Sequence, residues 1–158
     1  MTTRLRFLGS ICKKRGLEER SNQDLKKKII IILIIAAGLI LVLSLLPARI
    51  DCGDSTIFAI EDRKNAAGLV ADKINSFDGC KLYAVKYEGD AVSQKNLDYC
   101  NSLAEKGTTY KDCIVFTSFF RSPILGGGAW NANEIYSWSW YLARTEDGPW
   151  DIITYGYA

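Results

Sequence analysis

Apolar positions fall into one unbroken run followed by shorter periodic stretches. Ile29 to Leu46 reads IIIILIIAAGLILVLSLL, with no charge and with Ser44 as its one polar side chain. Lys26, Lys27 and Lys28 abut one end, and Pro47, Arg49 and Asp51 lie past the other. At 1.5 Å per residue the run makes a helix of about 27 Å, close to the roughly 30 Å hydrocarbon core of a bilayer, where a helix satisfies its own backbone. The run therefore predicts one transmembrane helix, residues 29–47, behaving as an uncleaved signal anchor. A core helix of a small domain normally carries a polar stripe, and none is visible. A cleavable signal fits poorly, because 28 residues precede the run and Leu46 stands where a small residue is needed. Arg49-Ile50-Asp51 before Cys52 is also unlike a lipoprotein motif.

Past a short polar stalk (48–56) the pattern becomes periodic, predicting one domain over 57–158. Ile60, Ala67, Val70, Ile74 and Phe77 make one stripe of a helix over 57–78, closed by Asp78-Gly79. Residues 81–88 alternate as a strand, with Tyr83, Val85 and Tyr87 on one face and Leu82, Ala84 and Lys86 on the other. A second helix is expected over 94–106, with Ser93 as N-cap and Leu97, Cys100, Leu103 and Ala104 as its stripe. Residues 112–120 are β-branched and aromatic, which suits a central strand. A Gly-rich connection leads to 135–144, where Tyr136, Trp138, Trp140, Leu142 and Arg144 share one face. Glu146-Asp147-Gly148 signals a hairpin turn into a last strand, 149–157. The fold class is α+β: a curved antiparallel sheet packed on two helices, behind one transmembrane helix.

Charge separates the two ends. Residues 1–28 carry nine Lys/Arg against three Asp/Glu, and residues 49–158 carry eleven against fifteen. The excess of positive charge places the arm 1–28 in the cytoplasm and the C-terminal domain outside, in a single-pass cell-membrane protein. The lipid bilayer is then a partner, with anionic lipid at the arm, and residues 4–17 have the pattern of a short amphipathic helix. The arm lacks aromatic interleaving and a recognition helix, so nucleic acid is not an expected partner.

Histidine is absent from the sequence, which excludes Ser-His-Asp and Cys-His hydrolysis and a His general base. Cys52, Cys80, Cys100 and Cys113 follow no zinc spacing, and four cysteines allow three full pairings that sequence does not rank. Burial as small hydrophobes is an equal alternative. Gly126-Gly127-Gly128 lacks the GK[ST] ending of a phosphate loop and reads as a flexible hairpin loop. No cofactor and no metal is expected.

Several segments resemble one family. They are Phe77-Asp78-Gly79-Cys80-Lys81-Leu82, Ile114-Val115-Phe116-Thr117-Ser118-Phe119, Trp138-Ser139-Trp140-Tyr141-Leu142-Ala143-Arg144, Gly148-Pro149-Trp150-Asp151-Ile152 and the closing Tyr155-Gly156-Tyr157. They look like a family of small extracytoplasmic domains of Firmicutes, chiefly clostridial, of unknown function. The resemblance covers about residues 57–157. It implies a fold similar to nuclear transport factor 2, a sheet wrapped on helices into a cone, and it implies no activity, cofactor or catalytic residue. Members often carry a lipoprotein anchor, and this chain departs from that.

On such a cone Tyr83, Tyr87, Tyr136, Trp138 and Trp140 are the candidate lining for an apolar or aromatic ligand, the alternative being plain core. The expected function is non-enzymatic, the first of three readings, and the other two are its alternatives. One is a membrane-tethered binding or interaction module. Another is a structural subunit of an envelope assembly, laid out like the bitopic scaffold of type IV secretion and conjugation systems, with membrane-protein partners or self-association. The third is a cone-fold isomerase or dehydratase, for which Tyr87, Tyr136 and Asp151 are the candidates to test.

Overall fold

The computed structural model describes residue 23 and residues 25–42, 46–146 and 148–157. The chain divides into two compact units, Met1–Leu46 and Pro47–Ala158. The basic segment 1–22, the amphipathic pattern at 4–17 and Cys12 lie outside the described residues.

In the first unit residues 25–42 are helical and exposed. Among the described residues, however, no helix is long and apolar enough to cross a membrane. Lys26, Lys27 and Lys28 are helical along with the apolar residues that follow them. Residues 43–45, which the expected span needed, lie outside the described residues. The transmembrane helix over 29–47 is thus corrected. The single-pass membrane location, with arm inside and domain outside, rested on that span and falls with it.

The second unit runs β1 (Arg49–Asp51), α1 (Ile60–Asn75), β2 (Lys81–Tyr87), α2 (Asp90–Lys95), α3 (Leu97–Ser102), β3 (Asp112–Arg121), β4 (Ile135–Arg144) and β5 (Asp151–Tyr157). The strands form one sheet in the order β1-β2-β3-β4-β5. β1 lies parallel to β2, and every other neighbouring pair is antiparallel. The class is α+β. The sheet is mixed rather than antiparallel, and three helices, one long and two short, replace the expected two. The presumed stalk supplies β1, which pairs Arg49, Ile50 and Asp51 with Ala84, Val85 and Lys86.

Alternation along the strands sends side chains to two faces. On one face α1 lays Ala66, Ala67, Val70 and Ile74 against Leu82, Val85, Ile114, Phe116, Trp140 and Leu142. Burying an aliphatic or aromatic side chain of this kind is worth about 1.5–3 kcal/mol, so this layer supplies most of the driving force. Arg63 of α1 is buried, and its guanidinium donates to the carbonyls of Cys52 (2.7 Å) and Gly53, tying the β1–α1 connection to the helix.

The other face is thinner. There Cys100 of α3 meets Cys113, Val115 and Ala143, flanked by Leu97, Tyr110, Tyr141 and Ile153. The expected helix over 94–106 is two helices broken at Asn96, whose side-chain amide donates to the carbonyl of Val92. Ser93 is no cap. It lies buried inside α2, and its hydroxyl accepts the N–H of Val115 at 3.2 Å.

β2 carries a bulge between Leu82 and Ala84. A bulge inserts one residue and reverses the facing of those before it. Leu82, Val85 and Tyr87 therefore face the α1 core together, while Tyr83 is exposed.

Candidate functional site

The β4–β5 hairpin sets the aromatic arrangement. Its register places Trp138 opposite Tyr157 and Trp140 opposite Tyr155. Directly opposed side chains share a face, so the four rings meet on the α1 side. Tyr155 stacks on Trp140 at 4.5 Å and on Trp138 at 5.5 Å. Tyr157 meets Trp138 edge-on at 6.2 Å. Phe77, just past α1, and Trp130, from the β3–β4 connection, join at 6.0 and 5.6 Å from Trp138.

Trp130 reaches the cluster because the Gly-rich connection is a closed turn. Gly126, Gly127 and Gly128 all have positive φ, a conformation costly for other residues. Gly127 and Trp130 exchange backbone hydrogen bonds at 3.2 and 3.1 Å, and a Cβ on Gly126 would lie 3.0 Å from the Trp130 carbonyl.

Of the five candidate lining residues, Tyr136, Trp138 and Trp140 are brought together. Two of the three are core. Trp140 is fully buried, and its indole N–H donates to Ser118 Oγ at 2.8 Å. Tyr136 is buried, stacked on Phe120 at 5.5 Å, with its hydroxyl donating to Glu134 at 3.2 Å. Trp138 is partly covered, and its indole N–H is buried with no hydrogen-bond partner. Tyr87 lies on the same face beside Phe116, and the bulge excludes Tyr83. Tyr83 thus stands apart from the other four.

Tyr155 and Tyr157 were missed. They keep 39% and 77% of their surface in solvent, and they stand on an edge strand. The signal was available in the closing TYGY alternation, had it been paired through the hairpin with Trp138 and Trp140.

β5 is bordered on its other face as well. A groove of about 370 Å³ there is lined by Asn96, Tyr99, Tyr141 and Thr154 together with Tyr155, Gly156 and Tyr157. Tyr99 of α3 stands edge-on to Tyr141 of β4 at 5.3 Å. Gly156 has no atom within 4 Å of where a Cβ would stand, which leaves the groove open along the strand.

The three candidates for acid–base chemistry are dispersed. Tyr87 pairs with Phe116, Tyr136 with Phe120, and Asp151 with Ala143. Tyr87 donates to Asp90 Oδ1 at 2.8 Å, and burial pushes its phenol up. The Asp90 carboxylate accepts from Ser55, from the Thr56 N–H and from the hydroxyls of Tyr87 and Thr56. Those bonds hold it well below the usual carboxylate range, opposite to what a general base requires. Asp151 is exposed. Among the described residues the buried polar or charged side chains are Arg63, Ser93, Ser118 and Ser122, with no carboxylate, and no cluster of His, Cys, Asp or Glu has the makings of a metal site.

A second groove, about 490 Å³, runs between α1 and the β4–β5 turn, past Asp62, Gly68, Leu69, Arg144 and Trp150. Its cation is already engaged. Arg144 donates to Asp62 at 2.9 Å and to Asp112 at 2.7 Å, and its guanidinium lies 4.5 Å from the centre of the Trp150 ring. Those contacts clamp α1 to β3 and β4 and occupy the groove's guanidinium, while Asn65 and Asp72 of α1 stand along the same groove.

No family model, no curated protein and no solved structure matches this chain.

Proposed function

We propose that residues 47–158 form a protein-interaction module that takes an extended peptide segment of a partner along the free edge of β5. The observation that carries the reading is that edge. β5 pairs with β4 on one side and, among the described residues, with nothing on the other. In an antiparallel strand every second residue directs its N–H and C=O away from the neighbour it pairs with. Exposed edges are commonly blunted by Lys, Pro or a bulge. Asp151–Tyr157 contains neither Lys nor Pro, and its register shift, opposite Tyr141 and Leu142, leaves Thr154–Tyr157 in unbroken pairing.

Strand addition reads alternate side chains on alternate faces. Here one face offers Trp138, Tyr155 and Tyr157, and the other offers the groove of Asn96, Tyr99 and Tyr141. Tyr and Trp are the side chains that contribute most at such contacts. A second copy pairing β5 to β5 is the competing occupant, as a self-assembling structural subunit. Four residues of regular edge give a symmetric pair little area, whereas a peptide also fills the groove.

The test places a photoreactive benzoylphenylalanine at Tyr157, and separately at Tyr83, in the full chain within its native cells. Adducts at position 157 that map to one segment of one partner, with few at 83, are the expected result. Tyr157→Lys should weaken the same adduct, read from a probe at Tyr155, by roughly tenfold, in line with a central interface aromatic. Equal labelling at 83 and 157 would sink the proposal. An adduct of the chain with itself would replace the partner by a second copy.

A further inference from the structure

We infer that Cys100 and Cys113 are a dithiol that closes to a disulfide, fixing α3 onto β3 and with it the wall of the groove beside β5. Their sulfurs stand 3.2 Å apart, both side chains buried. Cys52 and Cys80 pack against the α1 core, on the opposite side of the sheet. Of the three full pairings open to Cys52, Cys80, Cys100 and Cys113, the geometry selects one bond and leaves the other two residues as thiols.

The loop between the pair is already pinned. Asn101 accepts the N–H of Tyr110 at 2.8 Å and donates to the Tyr110 carbonyl at 3.2 Å. Closing the bond therefore needs a small approach of two sulfurs, with no rearrangement of residues 101–112. Access comes through α3. It is six residues long, with Tyr99 exposed, and its one buried side chain is Cys100. Short elements with little buried area open locally at low cost.

The order of the chemistry follows from which thiol the opening of α3 exposes. An S–H···S contact favours the thiolate of the acceptor. Cys113 is pushed up by its bond to Cys100 and by burial, and Cys100 is drawn down by the same bond. Cys100 stands on α3, the element that opens, so it loses its proton to water and reacts first. Its thiolate attacks one sulfur of a low-molecular-weight disulfide, RSSR, forming Cys100–S–S–R and releasing RS⁻. Cys113 then loses its proton to water, and its thiolate attacks the Cys100 sulfur. The Cys100–Cys113 bond forms and the second RS⁻ leaves. The two protein thiols are oxidised by two electrons, and RSSR is reduced to two thiols.

Closure matters for the groove because Tyr99 immediately precedes Cys100. An oxidised pair holds the Tyr99–Tyr141 contact in place, and a reduced pair lets α3 lift and widen the groove. The test equilibrates the full chain carrying Cys12→Ser, Cys52→Ser and Cys80→Ser in glutathione buffers of rising GSSG:GSH ratio. It is then quenched with an alkylating agent after unfolding. Lys106 and Lys111 separate the two cysteines for trypsin. The expected result is one species lighter by two hydrogens, with residues 96–106 joined to 112–121. Its Tm should rise by roughly 10 °C over the reduced form, as for a closed loop of this length in a domain of this size. Cys113→Ser should abolish both. Cys100 and Cys113 fully alkylated at every ratio, or held only as mixed disulfides with glutathione, would overturn the inference.

Discussion

The two faces of the sheet are built on different principles. The α1 face is sealed by large side chains: Phe116, Phe120, Trp140, Ile74 and Leu142 are all fully buried. The α2–α3 face has a buried cluster of Cys100, Cys113, Val115 and Ala143, and it relies on polar staples. Ser93 accepts the Val115 N–H and Asn101 grips Tyr110, while Asp90 at the start of α2 ties that helix to Tyr87 on the α1 side and to Thr56. Area holds the first face and hydrogen bonds hold the second. The proposed peptide edge, β5, is where the two meet, with sealed rings above it and an adjustable groove below.

Substitutions on each side sharpen or break that contrast. The largest effect is expected from Trp140→Ala. It removes a fully buried indole, leaves Ser118 without its donor and takes away the ring on which Tyr155 stacks. A loss of about 3–5 kcal/mol is expected in urea unfolding. A smaller loss than from any substitution of the thin face would contradict the idea that area dominates the α1 side.

Ser93→Ala comes next. It removes one small hydroxyl from a fully buried site and strands the Val115 N–H. The cost of an unpaired buried donor is about 1–3 kcal/mol, far more than the lost area of a serine. A change under half a kilocalorie in the same unfolding assay would mean that this face is not held by its hydrogen bonds.

The smallest effect is the pH dependence carried by Asp90. Its folded pKa lies below the unfolded value because its carboxylate accepts hydrogen bonds from Ser55, Thr56 and Tyr87. Its contribution is complete above the ordinary carboxylate pKa, about 4, and is lost as pH falls through that value toward the folded one. Tm measured from pH 6 down to pH 2.5 should fall less steeply in Asp90→Asn than in the parent chain. Identical slopes would show that this staple carries no charge-dependent stability.

Much of this architecture was legible in the sequence, for reasons that are local. The stripe of Ala67, Val70 and Ile74 marks α1, and the alternation of 135–144 marks β4, because each pattern reflects burial against one neighbour. What escaped was non-local. β1 is three residues whose strand character comes from β2, more than thirty positions away. The bulge in β2 depends on its partner, and it sends Tyr83 outward against the period-two reading. A stripe over 94–106 could not reveal that the chain breaks at Asn96. Trp138 and Trp140 were picked out for their rings, but whether each ring is core or surface depends on Tyr155, Tyr157 and Trp130, which only pairing and the glycine turn deliver. The membrane span is a further correction: among the described residues no helix is long and apolar enough to cross a membrane.

All four tryptophans of the chain belong to one layer. Trp140 and Trp150 lie inside the α1-side core, and Trp130 and Trp138 pack against it. Intrinsic indole fluorescence is thus a spectroscope trained on half the domain. Its emission follows the dissolution of the large core and is blind to α3 lifting from β3. The quiet half is observed instead through tyrosine, whose reporters Tyr99, Tyr110 and Tyr141 flank the sulfur pair. Tyrosine emission reports both layers, since Tyr87, Tyr136, Tyr155 and Tyr157 stand on the indole side, so the indole signal alone belongs to a single layer.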